Sequence, residues 1–349
     1  MSFSITKYPS YRSSIPNRTS PVEKRAALKQ HIDFNKPLFT GGLYNEPVRH
    51  PDIAGNVLIT ETSFFREANT LEFVKEYIAH RLKRCTGPVE IADYACSSGE
   101  EAYTFAMLTE ELPGKDRIKI CGYDLSRKAL RDANSGEVTI SRYQTPFIGK
   151  LRNLLSTRIQ HTSLDDAFVL LSLAELQDFK FKDIPRKQHY GQLFRESCTS
   201  IGSSQEQVKI EGGKTHIVER FHYRLNPDLK NRVQFEEPEK GDITQIQANR
   251  KPNSTDIILF RNALYHLITE EDVSKRQIKN PQEVRAILLS LFHNIYSTLR
   301  PGGIFVLGEE ENPQVRGQKF IIDKYLLQAG FEPLYAGQKE TNIWQKPQT

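Results

Sequence analysis

One segment of the sequence holds most of the residue types that could do chemistry. It runs Ile91-Ala-Asp-Tyr-Ala-Cys-Ser-Ser-Gly-Glu-Glu-Ala-Tyr-Thr-Phe-Ala-Met107, an apolar run that turns at Gly99 into a helix opened by two carboxylates. A second apolar run, Ile118–Tyr123, follows and ends at Asp124. A strand, a glycine turn, a helix and an acid at the end of the next strand make up the nucleotide-binding half of a doubly wound sheet.

The ligand expected at this turn has a ribose but no phosphates. The dinucleotide fingerprint Gly-x-Gly-x-x-Gly is absent, so no row of glycines brings the backbone close to a pyrophosphate. S-adenosylmethionine (SAM), with S-adenosylhomocysteine (SAH) as its product, fits this pattern. Asp124 would bind the ribose hydroxyls, and the turn around Gly99 would make room for the methionine part. The alternative is a generic helix start, in which Glu100 and Glu101 only favour the helix dipole.

Five short segments, in order along the chain, match the signatures of one enzyme family. They are Thr62-Ser-Phe-Phe-Arg-Glu67, Ala95-Cys-Ser-Ser-Gly-Glu-Glu-Ala-Tyr-Thr104, Gly122-Tyr-Asp-Leu-Ser126, Asp256-Ile-Ile-Leu-Phe-Arg-Asn-Ala-Leu264 and Leu299-Arg-Pro-Gly-Gly-Ile-Phe-Val-Leu-Gly-Glu-Glu310. Together they resemble the CheR-type protein-glutamate O-methyltransferases, which modify chemotaxis receptors. The resemblance covers about residues 57–345.

The resemblance implies a cofactor site. The residues implied to line it, from the amino-acid end of SAM through the ribose and adenine to the sulfur, are Thr60, Thr62, Arg66, Glu101, Asp124, Asp242, Ile243, Arg261 and Asn262. Asp242 and Ile243 stand where the family has Asn-Leu, and a short insertion, Pro238–Gly241, precedes them.

Arg66 is the candidate for orienting a carboxylate. A glutamate side chain has an ordinary pKa of about 4.3, so it is already an anion at neutral pH. Methyl transfer to it needs alignment and no strong base. A planar guanidinium holds a carboxylate through two parallel hydrogen bonds. That carboxylate belongs either to the acceptor or to the methionine part of the cofactor. The neighbouring Phe64 and Phe65 either line the site or belong to the core.

The segment after Asn262 departs from the family pattern. The family has a tyrosine four residues beyond this asparagine, but here that position is His266 and the tyrosine is Tyr265. Either His266 replaces tyrosine as a polar wall, or it accepts a proton, as a group with a pKa near 6.5 can. The second reading suits a hydroxyl or amine acceptor. Two alternatives to carboxyl methylation therefore stay open: a different acceptor with His266 as base, and a SAM- or SAH-binding module without catalysis.

The elements that must position these residues alternate along the chain. Strands are predicted near 89–95, 117–123, 232–235, 257–260 and 304–308, and helices near 69–83, 99–112, 126–135, 149–180, 281–299 and 317–329. Segments 331–335 and 342–345 predict a terminal antiparallel pair. The fold class expected is α/β, a Rossmann-like class I methyltransferase sheet with helices on both faces.

A small antiparallel β-subdomain is expected as an insertion at residues 181–230. Gln207–Val218 predicts a hairpin, because two alternating runs flank a pair of glycines. The resemblance places such a subdomain before the third main strand. The polar stretch Ser197–Gln207 makes this copy longer than usual.

The chain divides into a basic, partly flexible N-terminal segment, residues 1–56, and a CheR-like methyltransferase domain, residues 57–345. Residues 1–50 hold eight Lys or Arg against three acids, which accounts for the whole net charge of +5. Such a segment either docks on an acidic protein surface or is simply solvated. No nucleic-acid motif accompanies it.

The partner expected is a protein substrate carrying an acidic side chain. A chemoreceptor is not identified, because the compact helical domain usual at the start of CheR-type enzymes is not visible; Pro21–Gln30 predicts only one short helix.

Composition limits the compartment and the chemistry. The 349 residues are 38% hydrophobic, enough for one large α/β domain. No run of about eighteen apolar residues exists, so no membrane span is expected, and the N-terminus lacks the apolar core of a secretory signal. The four cysteines show neither C-x-x-C pairing nor zinc spacing. A reduced, cytoplasmic protein without a metal site is predicted.

Overall fold

A computed structural model describes residues 48–49, 57–58, 63–143, 184–209, 215–268, 280–308, 319–334 and 342–348. The predicted helices at Pro21–Gln30 and 149–180 lie outside the described residues, as do Thr60 and Thr62.

The strands of the described residues are short, apart from one long antiparallel pair. They are β1 (Val48–Arg49), β2 (Val57–Leu58), β3 (Val89–Tyr94), β4 (Ile118–Tyr123), β5 (Glu137–Tyr143), β6 (Cys198–Lys209), β7 (Thr215–Leu225), β8 (Val233–Phe235), β9 (Thr255–Phe260), β10 (Leu299–Leu307), β11 (Glu332–Leu334) and β12 (Ile343–Gln345).

The helices alternate with these strands. They are α1 (Ala68–Arg84), α2 (Glu100–Leu108), α3 (Arg127–Ser135), α4 (Ile184–Ser197), α5 (Pro227–Lys230), α6 (Ile246–Asn249), α7 (Leu264–Ile268), α8 (Pro281–Thr298) and α9 (Lys319–Gln328). Single 3₁₀ turns occur at Lys115–Arg117, Pro238–Lys240 and Ile243–Gln245. None of the described helices is both long enough and apolar enough to span a lipid bilayer.

The main sheet has seven strands in the order β11-β12-β10-β9-β3-β4-β8. The five strands from β10 to β8 pair in parallel. From β3 the chain runs outward through β4 to β8, then returns to β9 and β10 on the other side of β3. This reversal makes the carboxyl ends of β3 and β9 a topological switch point, where doubly wound folds bind ligands. The predicted Rossmann-like class I sheet is confirmed.

Both faces of the main sheet are covered by apolar side chains. On one face, Ile91 of β3 and Leu259 of β9 pack with Leu71 and Val74 of α1. On the other face, Ile258 of β9 packs with residues of α8 and α9. The strand residues alternate between the two clusters because successive side chains of a strand point to opposite faces.

The antiparallel edge of the sheet was predicted and is present. β12 lies between β10 and β11 and is antiparallel to both. Its central residue, Trp344, is the one tryptophan of the chain and is buried opposite Phe305 of β10.

A second sheet of three strands, in the order β5-β7-β6, is antiparallel. The predicted hairpin is present, but its strands are longer than expected. The polar stretch Ser197–Gln207, which was not predicted as a strand, forms most of β6. β5 was not predicted either, although Val138 and Ile140 alternate with polar residues there. A further antiparallel pair of two-residue strands, β1 with β2, was not predicted.

Side-chain hydrogen bonds explain where helix α3 begins and where helix α2 ends. Ser126 caps α3 by accepting a hydrogen bond from the Ala129 amide at 3.2 Å. α2 ends at Leu108, four residues before the predicted end. The Thr109 hydroxyl donates to the Phe105 carbonyl at 2.6 Å, and Arg232 donates to the Ala106 carbonyl at 2.6 Å. Carbonyls of the last turn are thus satisfied without a further helical turn.

Candidate functional site

The turn between β3 and α2 has an unusual backbone. Ala95, Ser97 and Gly99 adopt positive φ angles of 59°, 50° and 89°. Left-handed backbone is costly for residues that have a Cβ, and such residues cluster at functional sites. The non-glycine residues with positive φ among the described residues are Phe65, Glu67, Ala95, Ser97, Asn253 and Asn262, and all but Asn253 lie in this turn or in the two segments packed against it.

Asp124 holds this turn from the end of β4. Its Oδ2 accepts a hydrogen bond from the Ser97 amide at 2.8 Å, and its Oδ1 accepts one from the Ser126 amide at 2.8 Å. Burial raises the pKa of Asp124, while these backbone bonds partly oppose the shift. The acid predicted to bind a ribose therefore also fixes the glycine turn against the next strand.

Asp93 is a second buried acid, next to the last residue of β3. It is 2% exposed, and its Oδ2 has no hydrogen-bond partner among the described residues. Burial, followed by the nearby charge of Glu101, holds the pKa of Asp93 well above its ordinary range, while Arg261 opposes the shift. When it is ionised, Asp93 is a buried acceptor that lacks a donor, so a cationic ligand that donates to it would stabilise its charged form.

Arg261 connects three segments at the end of β9. Its Nη1 lies 2.9 Å from Glu101 Oε2, and its Nη2 lies 3.0 Å from Glu67 Oε2. The same Nη2 donates to the Arg66 carbonyl at 3.0 Å. Burial would lower the pKa of Arg261, but Glu101 and Glu67 raise it above its ordinary value. Arg261 is a permanent cation. Its contacts with Glu67, the Arg66 carbonyl and Glu101 form a bracket that holds these segments together.

Arg261 contacts only one carboxylate oxygen of Glu101, Oε2. The other oxygen, Oε1, is buried and has no hydrogen-bond partner in the described part of the chain. Burial raises the pKa of Glu101, although the positive charges of Arg261 and Arg66 oppose this.

Asn262 presents a third buried acceptor, after Asp93 Oδ2 and Glu101 Oε1. Its Nδ2 donates to Glu67 Oε1 at 3.0 Å, and its Oδ1 is buried without a partner among the described residues. A Cβ at Gly308 would lie 2.1 Å from this Oδ1, so glycine is required after β10 for the asparagine to fit.

Arg66 lies in the segment before α1. Its Nε is buried and has no hydrogen-bond partner among the described residues. The two phenylalanines beside it belong to the core: Phe65 stacks on Tyr190 of α4 at 4.7 Å, and Phe64 meets Phe194 edge to face at 5.0 Å. These contacts anchor the segment in the core, and Arg66 and Glu67 are the polar residues that it contributes to the site.

Asp242 and Ile243 lie next to Asp124. A Cβ at Gly241 would approach the Asp124 carbonyl oxygen to 2.3 Å, so the two backbones touch. Asp242 Oδ1 accepts from the Thr244 amide at 2.9 Å and caps a 3₁₀ turn, and Ile243 is buried. Tyr265 and His266 lie on α7, which follows Asn262, and their side chains are outside the described residues.

The structure thus brings together most of the residues predicted from sequence, at the switch point of the sheet. Three acids, Glu67, Asp93 and Glu101, lie close to the arginines Arg66 and Arg261, and a fourth acid, Asp124, lies close to Asp93. The four acids and Arg261 are buried. Ionised, the group carries a net negative charge and spare acceptor atoms, which suits a cationic ligand. In the described part of the chain no group of three or more His, Cys, Asp or Glu is arranged to hold a metal ion.

Sequence reasoning missed Glu67 and Asp93. Glu67 is the last residue of the Thr62–Glu67 segment, but only its neighbour Arg66 was assigned a role. Asp93 was visible as an acid in the buried run Ile91-Ala-Asp-Tyr94 of β3, and an acid is rarely buried unless it has a partner.

Comparison with known proteins finds similarity to chemotaxis protein methyltransferases over part of the chain. Residues 60–150 match a family model described as "CheR methyltransferase, SAM binding domain". A chemotaxis protein methyltransferase of Listeria monocytogenes serovar 1/2a is 31% identical over 110 residues, which is 31% of this chain and 41% of that protein. One of Campylobacter jejuni strain 81-176 is 29% identical over 177 residues, 49% of this chain and 61% of that protein. The chain therefore matches less than two thirds of the length of either relative.

Solved structures of methyltransferases align at low similarity. The N-methyltransferase NodS of Bradyrhizobium japonicum, in complex with SAH, aligns with 10% identity and a TM-score of 0.31 over 80% of this chain and 90% of that chain. The CurJ carbon methyltransferase aligns with 10% identity and a TM-score of 0.35 over 79% of this chain and 54% of that chain. The fold assignment rests on the strand order.

Proposed function

We propose that this chain, a relative of the CheR-type methyltransferases over residues 60–150, is a SAM-dependent methyltransferase that esterifies a glutamate carboxylate on a protein substrate. The observation that carries the proposal is the set of buried acceptors without partners at the switch point: Asp93 Oδ2, Glu101 Oε1 and Asn262 Oδ1. Buried acceptors of this kind are normally hydrogen-bonded, so a ligand with several donors is the expected partner.

SAM fits this donor and acceptor set. It carries a positive sulfonium, a positive ammonium and one carboxylate, so its net charge complements the net negative site. Asp93, Glu101 and Asn262 would accept hydrogen bonds from the ammonium. Arg66, whose Nε has no described partner, would bind a carboxylate. Asp124, with Asp242 and Ile243 beside it, would hold the ribose and the adenine. When bound, SAM supplies the methyl group.

The residues of the chain would act by alignment. An acceptor carboxylate is ionised at neutral pH and gives up no proton, so no general base is required. The bracket formed by Arg261 fixes the segments that carry Arg66, Glu101 and Asn262, which is the positional control that an in-line transfer demands. A protein substrate follows by analogy with the chemotaxis protein methyltransferases that the chain resembles.

Titration calorimetry with SAM and SAH tests the cofactor. We expect dissociation constants of about micromolar strength. Asp124→Ala should weaken binding by roughly 1.5–3 kcal/mol, since it removes charge-assisted hydrogen bonds. Asp116→Ala, which changes an exposed acid in the turn before β4, is the matched control and should bind like the wild type. Absence of heat with either ligand, for folded wild-type protein, would refute the proposal.

The acceptor is tested by transfer of labelled methyl groups from SAM to fractionated host proteins. A carboxyl methyl ester is hydrolysed by mild alkali, whereas methyl ethers and methylamines are stable to it. Release of the label as methanol would support glutamate methylation. An alkali-stable product would refute the carboxylate acceptor while leaving the SAM site intact.

A further inference from the structure

Glu67 immediately precedes helix α1, and its side chain does not cap the helix. Its φ is 59°, and its side chain makes no hydrogen bond to the first amides of the helix, although an acid at this position is well placed to do so. Its side chain is only 3% exposed and points into the site. There Oε1 accepts from Asn262 Nδ2 at 3.0 Å, and Oε2 lies 3.0 Å from Arg261 Nη2. The left-handed backbone therefore turns the carboxylate away from its own helix.

We propose that Glu67 is the positioning residue of the site, and that its carboxylate sets which face Asn262 presents to the ligand. The inference rests on the proposed function, because the ligand positioned in this way is SAM. A carboxylate only accepts hydrogen bonds, so Asn262 must turn its NH₂ group toward Glu67. The carbonyl Oδ1 is then left facing away, as an acceptor with no described partner.

The same carboxylate fixes Arg261. Arg261 Nη2 is shared between Glu67 Oε2 and the Arg66 carbonyl, which leaves Nη1 for Glu101 Oε2. Glu101 in turn keeps Oε1 free as an acceptor. Two of the acceptors assigned to the SAM ammonium thus depend on the Glu67 carboxylate, to which no ligand contact is assigned. If Asn262 were turned over, its NH₂ donors would face the ammonium and repel it.

An amide in place of the carboxylate reverses this polarity with little change in shape. In Glu67→Gln, the new amide NH₂ donates to Asn262, so the asparagine turns over and directs its own NH₂ at the ligand. We expect SAH affinity to fall by about tenfold to a hundredfold, the range for hydrogen bonds to charged groups. Adding Asn262→Asp places a carboxylate at position 262. One of its oxygens accepts from the introduced amide, and the other accepts from the ligand. The double variant keeps the wild-type charge and should recover affinity to within about threefold.

Calorimetry with SAH on wild type, Glu67→Gln, Asn262→Asp and the double variant forms a complete cycle. Circular dichroism melting of each protein sets a titration temperature at which all four are folded. A loss in Glu67→Gln with recovery in the double variant supports the inference, since a merely structural role would not be rescued by moving the charge. Equal binding by wild type and Glu67→Gln, or a loss without rescue, overturns the inference alone. Absence of binding by the wild type overturns the proposed function, and the inference with it.

Discussion

The two ends of the main sheet both bury carboxylates against arginines, but they pair them differently. At the amino end, Asp256 of β9 uses both oxygens: Oδ1 accepts from Arg81 Nε at 3.0 Å, and Oδ2 accepts from Arg300 Nη1 at 2.6 Å and from the Glu90 amide at 2.9 Å. At the carboxyl end, four acids are gathered with only two arginines, and Asp93 and Glu101 each keep an oxygen without a partner among the described residues.

The difference separates a cluster that holds the fold from one that is kept for a ligand. In a fully paired buried carboxylate, the interactions with donors at each oxygen offset the free energy lost when the charge leaves water. A partly paired cluster retains that cost until a ligand brings the missing donors. Proteins commonly give up stability at their functional sites in this way. The same substitution, aspartate to asparagine, should therefore have opposite effects at the two ends.

The largest effect is expected at the amino end. Asp256→Asn leaves Arg81 and Arg300 with a neutral partner, and breaking one side of a buried ion cluster costs about 3–5 kcal/mol. Urea denaturation measures the loss in the free energy of unfolding. SAH affinity of the folded variant should equal that of the wild type, since the cluster lies at the opposite end of the strands. A cost below about 1 kcal/mol would show that the paired cluster does not stabilise the fold.

A smaller effect of the opposite sign is expected at the carboxyl end. Asp93→Asn removes an ionisable carboxyl group. Burial and the nearby charge of Glu101 hold the pKa of this group above its ordinary range. A raised carboxyl pKa favours the folded state at low pH, and this contribution is lost as the pH rises through the folded pKa. At pH 8 we expect the variant to be more stable by roughly 0.5–2 kcal/mol, with weaker SAH binding. Urea denaturation at pH 5 and pH 8 checks the sign. Destabilisation at pH 8 would refute the contrast between the ends.

The smallest effect compares the two ends of helix α2. Burial raises the pKa of Glu100, at the amino end of the helix, to about 7. Just beyond the other end, burial would raise the pKa of Glu110, but Lys115 and Arg232 lower it. Glu100→Gln should match the wild-type Tm near pH 5 and exceed it by pH 8, because the folded wild type loses stability as the pH rises through about 7.

The control substitution, Glu110→Gln, should behave in the opposite sense. Its lowered pKa gives stability that is present above the ordinary glutamate pKa and lost only in acid, so the variant should fall below the wild type at pH 8. Melting curves of the three proteins across this pH range give both comparisons. Parallel curves for wild type and Glu100→Gln would contradict the raised pKa.

The main sheet could be predicted because its signals are local. Apolar runs such as Ile257–Phe260, the glycine turn at Gly99 and the cap at Ser126 each act within a few residues. β6 could not be found in this way, because its Ser, Thr and Gln residues lack an apolar face and the strand exists only through pairing with β7. β5 has the alternating pattern of a strand, so its sequence did carry the signal.

The candidate site was predicted residue by residue but not as a network. Arg66, Asp124 and Asn262 were identified from family signatures, and the structure places them at one edge of the sheet. The bracket from Glu67 through Arg261 to Glu101 joins three segments that are far apart in sequence, so no spacing rule reveals it. The domain boundaries at residues 56 and 57 and the roles of Thr60, Thr62, Tyr265 and His266 stay predictions.

The one tryptophan of the chain, buried in β12, gives the protein an intrinsic fluorescence probe. Trp344 lies on the strand next to β10, and both β10 and β9 separate it from β3. Its emission will report whether the last strand of the chain is docked, and should respond little to ligand at the switch point. A titration that leaves the emission unchanged while calorimetry shows heat would mean that the edge of the sheet stays rigid during binding. In denaturant, the same signal tells whether that edge opens before the rest of the fold.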